Sequence, residues 1–214
     1  MLYLTFLALF SIALGQEVSC QGCPDSLKNL LNIHAKDNLE NGCAADWKFF
    51  KRPTGGWCIK IFTGLKTFDD ATKACKAAGA KLSGMQNAEE VAFIKRATLA
   101  SIPQNSSSVY IGMKRTAKCL GQTLTATCNA KTSFEWTDGS ATGTEGFVFQ
   151  DGLPQNWKLD ENCAVLFVSV DPSVKVGNNV FYSGQLDDVA CDLPAHGEGP
   201  RAALTYACGK KASK

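Results

Sequence analysis

Glu161-Asn162-Cys163, an apolar run from Ala164 to Val168, and then Leu186-Asp187-Asp188-Val189-Ala190-Cys191 form the stretch that decides the fold of this chain. A bridge between the two cysteines would hold three carboxylates close together. Such a cluster repels itself unless a cation or a hydrogen-bonding ligand occupies it. A further cysteine, Cys208, closes a short apolar run near the C-terminus. The acids beside these cysteines are therefore where a function is to be sought.

The rest of the chain sets the frame. Its 214 residues are 45% hydrophobic and 20% charged, with 22 Lys+Arg against 20 Asp+Glu and a net charge of +2. That is ordinary globular composition for one domain with appendages. No run of like charge marks a nucleic-acid footprint. Residues 1–15 are apolar and uncharged, too short for a bilayer span, with Ala13 and Gly15 fitting a signal-peptide cleavage pattern that starts the mature chain near Gln16. No second stretch is long enough to span a membrane, so a secreted, extracellular product is expected. Ten cysteines in an exported chain imply disulfides. The sequon Asn105-Ser106-Ser107 offers a glycan acceptor at Asn105.

Residues 16–42 read as a separate leader. Cys20 and Cys23 flank Gln21-Gly22, a short helix carries Leu27, Leu30, Leu31 and Ile33, and Asn41-Gly42 ends it. The spacing of Cys20 and Cys23 admits a local disulfide or inter-chain links, and a redox role lacks a thioredoxin-like context. Trp57 to Phe62 reads as a strand. Thr67 with Asp70 opens a helix whose Phe68, Ala71, Cys75 and Ala78 share one face, and Gly79 stops it. Cys75 on that face is a bridge partner, not a reactive thiol. Asn87 with Glu90 opens a second helix that buries Val91, Ile94 and Thr98 and stops before Pro103. Strands are expected at residues 109–113, 134–136, 163–170, 180–182 and 204–208. Between Gly139 and Asp160 lies a Gly-, Thr- and Gln-rich stretch, and an aperiodic loop of that length is usually functional.

The order Trp47, Cys58, the helix with Cys75, Glu89-Glu90, Tyr110-Ile111-Gly112-Met113, Phe134-Glu135-Trp136-Thr137-Asp138-Gly139, Glu161-Asn162-Cys163, Leu186-Asp187-Asp188 and the last two cysteines resembles a C-type lectin-like domain over residues 43–211. The cysteine-bearing insertion at 114–133 looks like the secreted nematode versions. The resemblance implies an α+β fold: two helices, two small antiparallel sheets and a long ligand loop region, stapled by disulfides. It implies the pairs Cys43–Cys58, Cys75–Cys208 and Cys163–Cys191, with Cys119–Cys128 pairing locally and Cys20–Cys23 within the leader.

In sugar-binding members a calcium ion is held by a Glu-Pro-Asn or Gln-Pro-Asp tripeptide, a Glu before a cysteine, and an Asn-Asp pair. Carried over, these positions are Leu153-Pro154-Gln155, with Pro154 expected cis, then Glu161, and Asp187-Asp188. Gln155, Glu161, Asp187 and Asp188 are thus the candidate calcium ligands. Leu153, Pro154, Gln155, Trp157, Glu161 and Asp187 are the candidate ligand-binding residues. Calcium takes 6–8 oxygens and a leucine side chain supplies none, so the resemblance implies a weaker calcium site than the full pattern. Each sugar hydroxyl in such a site donates to an acid and accepts from an amide. Glu161 and Asp187 are both acceptors, so sugar reading suffers more. Trp157 can stack on a sugar or anchor a protein partner; filling a small core inside the loop is the favoured reading.

No Gly-x-Ser-x-Gly elbow, Walker loop or His-Glu-x-x-His is present, and His196 reads as a solvated surface residue. The expectation is a secreted binding protein, not an enzyme. Its partner is a glycan, self or microbial, bound with weak or absent calcium dependence, or else a protein that meets the same loop surface. Host defence enters only as an association of the family.

Overall fold

The computed structural model describes residues 24–192 and 199–213. The proposed signal peptide, Cys20, Cys23 and His196 lie outside the described residues. The first helix, α1 (Asp25–Glu40), ends at Asn41 and at Gly42 with φ 81°. It docks on the next element through Asn38, whose Oδ1 accepts the Phe49 amide at 3.1 Å and whose carbonyl accepts the Cys43 amide at 2.8 Å. Strands β1 (Lys48–Arg52) and β2 (Gly55–Thr63) form an antiparallel hairpin with Phe50 opposite Trp57.

Helix α2 (Phe68–Ala77) starts where its cap requires, with Thr67 accepting the Asp70 amide at 3.1 Å, and it buries Phe68, Ala71 and Cys75. After the two-residue β3 (Lys81–Leu82), helix α3 (Ala88–Ser101) is capped by Asn87, which accepts the Glu89 and Glu90 amides, and it buries Val91, Ile94 and Thr98. The strands that follow are β4 (Ser106–Arg115), β5 (Phe134–Trp136), β6 (Cys163–Ser169), β7 (Ser173–Val176), β8 (Asn179–Tyr182), β9 (Gln185–Val189) and β10 (Thr205–Lys211). The main sheet runs β1-β2-β10-β4-β6-β9, with β3 against β10 and β5 against β4, while β7–β8 stands apart as a hairpin. A short parallel contact, Thr205 opposite Val109 and Tyr206 opposite Tyr110, joins what are otherwise antiparallel pairs.

Period-2 alternation divides the core into two layers. Cys58, Tyr110, Tyr206 and Cys208 face the α2 side with Trp47 and Phe68. Trp57, Ile59, Val109, Ile111, Met113 and Ala207 face the α3 side with Met85, Val91 and Ile94. Among the described residues four bridges staple the chain: Cys43–Cys58, Cys75–Cys208 and Cys163–Cys191 at the α2-side layer, and Cys119–Cys128 in the insertion. One buried arginine links four segments. Arg52 binds Glu90 through Nε and Nη2 at 2.8 and 2.7 Å, Asp138 through Nη1 at 2.8 Å, and the Gly84 carbonyl at 3.0 Å. Asp138-Gly139 is the expected turn, with Gly139 at φ 71°, and Asp138 is in addition a fully buried ion partner.

Where β4 meets β6 the register shifts between Tyr110 and Lys114. Gly112 sits at this irregularity because the β3 backbone comes so close that a Cβ there would lie 2.1 Å from the Leu82 carbonyl oxygen. The Gly112 amide instead donates to the Ser83 carbonyl at 2.7 Å.

Candidate ligand-binding loop

Asp188 lies on β9 opposite Ala164 and is 1% exposed. Its Oδ1 accepts the Gln155 amide at 3.0 Å, and its Oδ2 accepts the Asn156 amide at 2.7 Å and Nη2 of Arg115 at 2.7 Å. Arg115 is as deeply placed as its partner. Its amide donates to the Asn162 carbonyl at 2.9 Å, its Nε donates to the Glu161 carbonyl at 2.9 Å, and its guanidinium lies 4.7 Å from the centre of the Phe134 ring. Burial pushes the Asp188 carboxyl up, against the pull of the Asn156 amide and of Arg115. Burial likewise lowers the Arg115 guanidinium, which Asp188 opposes.

Asp187, the preceding residue, pairs instead with Arg201, whose guanidinium stacks 4.0 Å from the Phe181 ring centre. Successive strand residues point to opposite faces, so the two acids meet two different arginines. Burial pushes Asp187 up to about 6, with Arg201 opposing. Glu161 is the third acid. Burial, then the neighbouring Asp188 carboxyl, push it up to about 8.

Between these acids the backbone makes an unusual turn. Asn156, Lys158 and Leu159 all have positive φ, at 55°, 55° and 62°, and Leu153–Pro154 is cis. Left-handed backbone costs a non-glycine residue roughly 1–2 kcal/mol, and the surrounding hydrogen bonds hold the turn in place. The buried Asn156 side chain donates to the Gln122 carbonyl at 2.8 Å and accepts the Glu161 amide at 2.9 Å. Glu161 Oε2 accepts the Trp157 amide at 2.6 Å. The turn thrusts Trp157 outward, 61% exposed, and Leu159 beside it, 51% exposed. This corrects the expectation that Trp157 fills a core inside the loop. The Lys158 ammonium lies 4.2 Å from the centre of the indole ring.

A cavity of about 780 Å³ opens beside this turn. Leu153, Gln155, Trp157, Glu161 and Asp187 all line it, together with Asn179, Phe181 and Arg201. The fold therefore gathers five of the six ligand-binding candidates around one space, while Pro154 is buried behind them. Sequence reasoning missed Arg115 and Arg201. The available signal for Arg115 was parity: it continues the inward row Val109, Ile111, Met113.

Calcium does not fit these residues as they stand. Both oxygens of Asp188 are engaged, one carboxylate oxygen of Glu161 holds an amide, Asp187 is paired with Arg201, and Leu153 offers no oxygen from its side chain. Among the described residues no group of three or more His, Cys, Asp or Glu is arranged to hold a metal ion.

Comparison with known proteins follows the same lines. A family model described as C-type lectin domain-containing protein 141/158 matches residues 50–211. The alpha chain of snaclec jerdonibitin from Protobothrops jerdonii is 31% identical over 108 residues, which is 50% of this chain and 60% of that relative. A snaclec coagulation factor IX-binding protein from Protobothrops flavoviridis is 26% identical over 152 residues, 70% of this chain and 98% of the relative. In fold, the C-type lectin CEL-I from Cucumaria echinata superposes with a TM-score of 0.53 at 19% identity, covering 81% of this chain and 100% of that one.

Proposed function

This chain belongs to the C-type lectin domain family, and we propose that within it the protein is an exported, non-enzymatic binding module that grips a protein ligand with the Trp157 turn. The observation that carries this reading is the exposed Trp157–Leu159 pair, held out by a backbone that Glu161 and Asn156 pin with hydrogen bonds. Large apolar side chains on a rigid support are what protein interfaces use as anchors, and strained backbone persists where surrounding contacts over-determine it for a purpose. The acids that would read sugar hydroxyls are turned instead toward arginines and amides. A relative named as a coagulation factor IX-binding protein lends support to a protein ligand.

Export belongs to the same reading, supported by four disulfides among the described residues. No helix among the described residues is long and apolar enough to cross a membrane. Asn105 is exposed just before β4 and is the proposed glycan acceptor. Residues 43–211 are the proposed binding domain, after a leader at 16–42.

Two measurements test the reading. Passed over immobilised mannose, galactose and N-acetylglucosamine, the protein should run through unretained, with calcium or with EDTA. Retention on any sugar that EDTA abolishes would overturn the proposal. Proteins captured from extracellular fluid by the wild type should bind Trp157→Ala at least roughly 30-fold more weakly, the loss typical of an anchor. The thermal midpoint of that variant should stay within about 1–2 °C of wild type, because an exposed side chain contributes little to stability.

A further inference from the structure

The geometry points to Arg115 as the resident cation of the binding loop: with Arg201 it replaces a divalent ion and closes the acid cluster to calcium. The inference stands whichever ligand Trp157 meets. A metal ion in such a loop would do two things, neutralise the acids and tie separate segments to one point. Arg115 does both. Its Nη2 reaches Asp188 of β9 while its Nε holds the Glu161 carbonyl, and its own amide fixes the Asn162 carbonyl, so one residue joins β4, β9 and the segment leading into β6. Asp188 passes the tie onward to the Gln155 and Asn156 amides, which begin the Trp157 turn.

Charge and space agree. Two guanidiniums, Arg115 on one face of β9 and Arg201 on the other, bring the same +2 as one calcium ion, divided between Asp188 and Asp187. An ion needs oxygens at about 2.3–2.6 Å on several sides. The Arg115 nitrogen already stands 2.7 Å from Asp188 Oδ2, so that oxygen is taken before an ion could reach it. A planar guanidinium suits this role because its several donors are fixed in a fork, which a lysine cannot reproduce. Its 1% side-chain exposure keeps competing water away.

The test is a cycle of variants read by thermal midpoint and by tryptophan fluorescence. Leu153 lines the same cavity as Glu161 and Asp187, so Leu153→Glu adds the missing acid without touching Arg115. Wild type and Leu153→Glu should each show one midpoint, the same in calcium, in magnesium and in EDTA. Leu153→Glu combined with Arg115→Gln should be destabilised in EDTA and regain roughly 5–10 °C at calcium about 100 times above its Kd. Arg115→Lys should lower the midpoint despite its charge, because it cannot serve Asp188 and the Glu161 carbonyl together. Calcium stabilising the wild type, or Leu153→Glu responding on its own, would overturn the inference, as would a double variant that calcium leaves unchanged. A double variant that folds only in calcium counts as the expected response.

Discussion

Replacing Arg52 with methionine should lower the unfolding free energy by about 3–5 kcal/mol, a large part of the roughly 5–15 kcal/mol typical of a whole domain. The reason is what the change leaves behind. Glu90 and Asp138 are buried with side-chain exposures of 1% and 0%, and Arg52 is the cation paired with both. Asp138 also orders its own turn, accepting the Ser140, Ala141 and Gly84 amides at 2.8, 2.9 and 2.8 Å. Without the guanidinium, two carboxyls would remain without their cation in a low-dielectric interior, and the Gly84 carbonyl would keep only the Ser83 hydroxyl of its two donors. Urea denaturation would register the loss directly, and the thermal midpoint should fall by roughly 6–20 °C. Adding Glu90→Gln and Asp138→Asn should recover part of the deficit, since removing a whole buried ion network costs far less than removing half of it. A loss below about 1 kcal/mol for the single variant would contradict the assignment.

Opening the Cys75–Cys208 bridge should be comparably costly. It spans a sequence separation of 133 residues and ties α2 to the central strand β10. Chain-entropy reasoning gives about 5 kcal/mol for a loop of that size, against about 2.5 kcal/mol for the 9-residue separation of Cys119–Cys128. The pair Cys75→Ala/Cys208→Ala should therefore unfold at markedly lower denaturant than Cys119→Ala/Cys128→Ala. All four of these cysteines are buried, so lost packing adds to both figures and the difference between them rests on loop length. Equal midpoints for the two double variants would mean that the unfolded chain is not restrained as its loop lengths imply.

These buried charges also mark the limit of what was legible in the sequence. Helices α2 and α3 were readable because capping is local: Thr67, Asp70, Asn87 and Glu90 lie within one turn of the positions they govern. Strands β2, β4, β5, β6, β8 and β10 were readable from their apolar and aromatic runs. Two of the strands that went unread carry charged residues where a strand should be apolar. In β1, Arg52 follows Phe50 on the inward row; in β9, Asp187 and Asp188 stand side by side. Their partners lie 38, 86, 73 and 14 residues away, so no local window contains the reason for their burial. Glu90 shows the same limit. Its capping position was legible, but its bidentate hold on Arg52 was not.

At the candidate site the acids and five of the cavity-lining residues could be named in advance, while Asn179, Phe181 and Arg201, and the manner in which the acids are neutralised, could not. Trp157 was misread for a backbone reason. Left-handed conformations at Asn156, Lys158 and Leu159 reverse the direction in which the turn presents its side chains, and none of the three is a glycine that would have signalled it.

That same turn has a kinetic meaning. A loop that must be ordered by its ligand gives up affinity in the ordering. Here Asn156, Glu161 and Asp188 have done the ordering during folding, so an arriving partner encounters a finished template. For the proposed protein ligand, selectivity then comes from how closely its surface matches the preformed turn, and differences between partners should show in how long they stay, not in how fast they arrive.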